Sequence, residues 1–153
     1  MTGNGGGNLN EEFSHRYPRI PEAHAKFLGR VSSCVNAADT VWFLCADDYN
    51  GKSGSAFAWN EFEQMELESA EDDGDQAKQE IREFWDGHLP FLMSVSGDYA
   101  YLALRMSENH GSVVAGYGPD FEGVTEVAAS FDEFVRLYSA ALNETDPELN
   151  DFL

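Results

Sequence analysis

"FLMSVSGDYAYLAL", residues 91–104, decides how the rest of the chain must fold. Two apolar runs flank Ser96-Gly97-Asp98, and Gly97 supplies, at no steric cost, the positive φ that tight strand-to-strand turns need. The stretch therefore predicts a β-hairpin; a catalytic loop would need chemical partners elsewhere in the chain. Along its second strand, Tyr99, Tyr101 and Ala103 point to one side and Ala100, Leu102 and Leu104 to the other. Both faces are apolar, so this strand belongs in the middle of a sheet that is covered on both sides.

Downstream, "GSVVAGYG" (111–118) reads as the next antiparallel strand and "VTEVAA" (124–129) as a short one after it. The helix "SFDEFVRLYSAAL" (130–142) starts at Ser130, with Glu133 three residues on, in the pattern of a capping box. Phe131, Phe134, Val135, Tyr138 and Leu142 form its expected buried stripe. Upstream, "RIPEAHAKFLGRV" (19–31) repeats Ile20, His24, Phe27, Leu28 and Val31 at helical spacing, with Pro21 suited to a first turn. "TVWFLCA" (40–46) reads as a buried strand, "DDYNGKSGS" as a loop and "AFAWN" (56–60) as a returning strand. A further helix is expected only over 75–86, with Ile81, Phe84 and Trp85 inward. The pattern predicts one α+β domain over 16–143, an antiparallel sheet with packed helices, between flexible tails at 1–15 and 144–153.

At 153 residues the chain suits one domain, burying roughly 68–70% of the surface that its unfolded form exposes. Cys34 and Cys45 sit in apolar surroundings without a C-x-x-C spacing, which favours a reducing compartment. The first twenty residues lack a basic start and an apolar core segment, and no apolar run reaches a membrane span. A soluble, cytoplasmic protein is expected. The formal net charge of −19 argues against nucleic acid and anionic membranes, whose phosphates require Lys and Arg. Charge is also uneven: residues 61–86 hold eleven acids and two bases. This segment, with Glu61, Glu63, Glu66, Glu68, Glu71, Asp72, Asp73 and Asp75, is either a solvated surface or a docking surface for a basic partner.

Catalytic and cofactor motifs are weak. "NGKS" (50–53) lacks the phosphate loop's first glycine, since position 46 is Ala. "SAEDDGDQAKQE" (69–80) aligns Glu71, Asp73, Gly74 and Glu80 with calcium-loop positions but puts Ser69 where the first carboxylate belongs. His15, His24, His88 and His110 are too dispersed for metal-ligand spacing. No nucleophile elbow or activated-cysteine signature is present. No catalytic, cofactor or metal residues are assigned.

"IPEAHAKFL", "VWFL", "PFLMSVSGDYAYLAL", "GSVVAGYG" and "VAASFDEFVRLY", in that order, resemble the SUKH superfamily over roughly residues 20–142. This is the bacterial immunity-protein family that also includes yeast cell-wall regulators. The motif residues that carry the resemblance are Gly97, Asp98, Tyr99, Ser130, Phe131 and Phe134. Members often carry Asn-Gly at the end of the first helix, whereas this chain has "GRVSSCVNAAD". The resemblance implies a noncatalytic α+β domain that binds another protein, commonly a toxin and often a nuclease. The alternative is a regulatory or scaffold domain for a host protein unrelated to toxins.

Overall fold

The computed structural model describes residues 9–31, 33–52, 57–96, 98–107, 109–143 and 152. In chain order the elements are α1 (Glu11–Arg16), α2 (Glu22–Arg30), β1 (Val41–Phe43), α3 (Ala46–Tyr49), α4 (Glu61–Ser69), α5 (Asp75–Asp86), β2 (His88–Ser94), β3 (Ala100–Arg105), β4 (Val113–Tyr117), β5 (Thr125–Ala128) and α6 (Phe131–Asn143). β2 and β3 pair antiparallel with Ser94 opposite Ala100, so the expected hairpin forms. Gly97 itself lies outside the described residues. The sheet order is β1-β2-β3-β4-β5, antiparallel throughout. β3 is central, as its two apolar faces require, and residues 100–104 are all fully buried.

Aromatic contacts show what covers each face. On one side, Phe43 of β1 and Phe91 of β2 meet Phe134 of α6, with ring centroids 6.3 and 5.2 Å away, and α2 adds His24 and Phe27. On the other, Tyr101 of β3 meets Phe62 of α4, Trp85 of α5 and Phe121. Tyr101 lies opposite Gly116 in β4, where an added Cβ would come within 2.5 Å of its ring. Its hydroxyl donates to the Phe121 carbonyl. Gly116 is thus a space left for an aromatic ring, not a turn residue.

Several expectations are corrected. Within the expected N-terminal tail over 1–15, α1 forms from Glu11 onward. Asn10 Oδ1 accepts from the Phe13 N–H at 2.8 Å, capping the helix, and Phe13 and Tyr17, four apart, are buried together. No strand forms at residues 57–60 of "AFAWN"; Phe57 and Trp59 pack partly buried against the core instead, and Ala56 lies outside the described residues. α3 forms at the start of the expected loop, and α4 forms where no helix was expected. On α6 the stripe is Phe131, Phe134, Tyr138 and Ala141, whereas Val135 (42%) and Leu142 (61%) are exposed. Within the expected 144–153 tail, Phe152 is buried and its carbonyl accepts from the Tyr138 hydroxyl at 2.8 Å.

Candidate functional site

The acidic segment folds into the helical pair α4 and α5, joined through Gly74, whose φ of 94° is one that L side chains rarely adopt. Phe62 of α4 and Ile81 and Trp85 of α5 turn inward, which leaves most of the carboxylates outside. Glu68, Glu71, Asp72, Asp73 and Asp75 are exposed. Glu61 accepts from the Ala58 N–H at 3.0 Å at the start of α4. Glu63 departs from the expectation of a docking residue: it is 4% exposed and bound on both oxygens, at 2.8 Å each, by the two terminal nitrogens of Arg16. The Arg16 Nε donates to Asp86 at 2.7 Å, so one guanidinium ties α1 to both α4 and α5.

Glu66 is half-buried and accepts from the Trp85 indole N–H at 2.7 Å. Burial pushes its carboxyl up to about 7; the Trp85 N–H opposes this, while Glu122 and Asp120 in the loop after β4 add to it. None of these partners is near Glu66 in sequence. They are brought together by the sheet, which sets the β4–β5 loop beside α4.

Glu66 also lines a groove of about 440 Å³, together with Met65, Ser69, Ala70, Asp73, Asp98, Tyr99 and residues 118–121 of the β4–β5 loop other than Asp120. Tyr99 is 40% exposed, and its ring is held by Phe62, stacked at 5.9 Å, and by Phe57, edge-on at 5.8 Å. Phe121 stacks on the same Phe62 at 4.6 Å. The groove therefore has an apolar floor on fixed rings and three carboxylates around it. The structure unites Asp98 and Tyr99 of the hairpin motif with Glu66 and Asp73 of the acidic segment. It does not include Glu61, Glu63, Glu68, Glu71, Asp72 or Asp75 in that groove. Ser130, Phe131 and Phe134 serve α6: the Ser130 hydroxyl accepts from the Glu133 N–H at 3.1 Å, and the two rings pack on the opposite side of the sheet.

A second cavity, lined by Glu12, His15, Arg16 and the rings of Phe13, Tyr49 and Trp59, mixes both signs of charge. Among the described residues no three His, Cys, Asp or Glu side chains converge to hold a metal ion. Burial pushes the Cys45 thiol up to about 12, with Asp48 adding to the effect, and raises Cys34 also. A reactive thiolate needs the reverse shift. His88 and His110 each bond a backbone carbonyl, of Phe84 and Arg19 respectively, at 2.7 Å. No helix among the described residues is long and apolar enough to cross a membrane.

The order of elements, from the α2 helix through the antiparallel sheet to α6, coincides with a family match: residues 19–137 fit the model of the SMI1 / KNR4 family (SUKH-1). The chain belongs to this family. No curated protein and no solved structure shows a significant match. The α+β architecture is the one a SUKH-1 domain implies. α1 and residues 138–143 of α6 fall outside the matched span, so the Arg16–Glu63 pair joins a segment beyond the SUKH-1 match to one within it. Sequence reading missed Arg16, Trp85 as a bonding partner, Asp120 and Glu122. Only α1 left a local signal: Asn10 ahead of Glu11-Glu12, with Phe13 and Tyr17 one turn apart.

Proposed function

We propose that this SUKH-1 domain is a noncatalytic, protein-binding immunity protein that neutralises a basic toxin domain, a nuclease being the best chemical fit, by covering its active surface in the bacterial cytoplasm. The observation that carries the reading is the acid-rimmed groove formed by α4, the β2–β3 turn and the β4–β5 loop, set in a chain of net charge −19. A surface that binds phosphate backbones is rich in Lys and Arg, and an acidic cover is complementary to it. Membership of SUKH-1 supports a protein-binding role. Free thiols at Cys34 and Cys45 fit a reducing compartment. A stable cover buries roughly 800 Å² on each partner, so the groove would be an anchor within a wider interface.

The test is growth. The genes flanking this one are searched for a large secreted toxin, and the toxic domain of such a protein is expressed alone and together with this chain; the lack of any such gene counts against the immunity reading. Restored growth, with a complex of the two recovered by gel filtration, is the expected outcome. If the toxin kills equally with the chain present at excess, the immunity reading is wrong, and a regulatory or scaffold role for a host protein becomes the better account.

A further inference from the structure

We propose that the groove between α4, the β2–β3 turn and the β4–β5 loop seats one arginine side chain of the partner protein, with the guanidinium lying over Tyr99 between Asp73, Asp98 and Glu66. The inference rests on the protein-binding reading above and adds the chemistry of what enters the site. Three observations select the occupant. The floor is apolar, from Met65, Ala70, Pro119 and Phe121, and suits an aliphatic stem. Among the described residues no Lys or Arg lines the groove, and none of its three carboxylates has a salt-bridge partner. For Asp73 and Asp98 the compensating charge is therefore left to an incoming group, while Glu66, already bonded by the Trp85 N–H, offers a further acceptor at the wall. No metal-holding cluster forms among the described residues, which favours a cation carried on a side chain over a bare divalent ion. The incoming group has to bring its own stem to cross the floor.

Arginine fits better than lysine. Tyr99 offers a part-exposed ring whose position is held by Phe57 and Phe62, and a planar guanidinium both stacks on such a ring and spreads five donors among separate carboxylates. An ammonium is a compact, strongly hydrated point charge and gains less from either feature. Asp120 and Glu122, beside Glu66, add to the negative potential at one wall.

The experiment uses the full chain, labelled with nitrogen-15, and follows amide shifts as the blocked tripeptide acetyl-Gly-Arg-Gly-amide is added. Parallel titrations use the citrulline tripeptide, which is nearly isosteric but neutral, the lysine tripeptide and calcium chloride. The expected result is a saturable response centred on Met65, Asp73, Asp98, Tyr99 and Phe121 with the arginine peptide. Binding should be weaker by about tenfold, equivalent to about 1.4 kcal/mol, for citrulline and for the exposed double variant Asp73→Asn with Asp98→Asn. An equal response to citrulline or lysine, a saturable calcium response at the same residues, or shifts spread along α4 and α5 without saturation would each overturn the proposal. Its failure is separable from failure of the immunity reading. Growth protection that survives the Asp73→Asn, Asp98→Asn substitutions would place the toxin on another surface, whereas loss of protection by the unaltered chain removes the parent function itself.

Discussion

His24 sits among the rings of Phe27, Tyr49, Phe91 and Phe131, 5.2 to 6.4 Å away, and is 0% exposed. Neither ring nitrogen has a hydrogen-bond partner among the described residues. Burial alone pushes its pKa from the usual 6.5 down to about 3. The folded protein therefore refuses a proton that the unfolded chain accepts below about 6.5, and stability falls as pH drops from there towards about 3, by up to about 1.4 kcal/mol per unit. Glu66 acts in the opposite sense. Its folded pKa is raised to about 7, so its contribution grows as pH falls through that value towards the ordinary carboxyl range. The difference between His24→Leu and the parent cancels the Glu66 effect. His24→Leu should be more stable by about 1 to 3 kcal/mol at pH 7, because two unsatisfied nitrogens are removed, and its advantage should widen at pH 5. A urea-melt difference that is flat between pH 7 and pH 5 would mean that His24 takes up its proton in the folded state.

At the scale of elements, α1 matters more than its six residues suggest. It is fastened through Arg16 to Glu63 and Asp86, and the Tyr17 hydroxyl that follows it donates to the Trp85 carbonyl at 2.6 Å. Removing Arg16 would leave the Glu63 carboxylate buried without its partner. Arg16→Met should cost about 3 kcal/mol in urea melts, and adding Glu63→Met should restore most of it, since the cost lies mainly in the uncompensated charge. A loss below about 0.5 kcal/mol would mark the pair as an ordinary surface ion pair. The same element explains why α4 escaped sequence reading. In "EFEQMELES" the buried positions are Phe62 and Glu63, so an acid occupies a place that a periodicity argument reserves for an apolar side chain. Its burial makes sense only once Arg16 arrives from a helix forty-seven positions away.

For the whole molecule, the segment 61–86 holds both acids bonded to side chains brought from elsewhere in the fold and acids that are simply exposed. Glu63 and Glu66 belong to the first group; Glu68, Glu71, Asp72 and Asp75 belong to the second. If the chain binds a basic protein partner as proposed, neutralising the second group with Gln and Asn should slow association with it, while altering dissociation little. The effect should shrink as salt rises, because exposed charges are screened over ~8 Å at physiological ionic strength. Replacing Asp73 and Asp98 in the groove should mainly speed dissociation. Stopped-flow or surface-binding kinetics at two salt concentrations separate these outcomes. Wild-type association by the first variant in low salt would show that the exposed acids are only a solvated surface.

The hairpin at 91–104, the central place of β3, the strands after it and the helix begun by Ser130 were legible because their determinants are local: turn chemistry, two-residue alternation and a cap whose bond spans three residues. α5 was legible for the same reason, with Ile81 and Trp85 one helical turn apart. The site was legible only as an acidic stretch and a Gly-Asp-Tyr motif, with no indication that they meet. Which acids are buried, which face Asp98 across a groove, and that Glu66 shares its place with Glu122 were decided by tertiary structure. Those relations depend on through-space distances between residues tens of positions apart, and the energy of a charge depends on what surrounds it rather than on its neighbours in the chain.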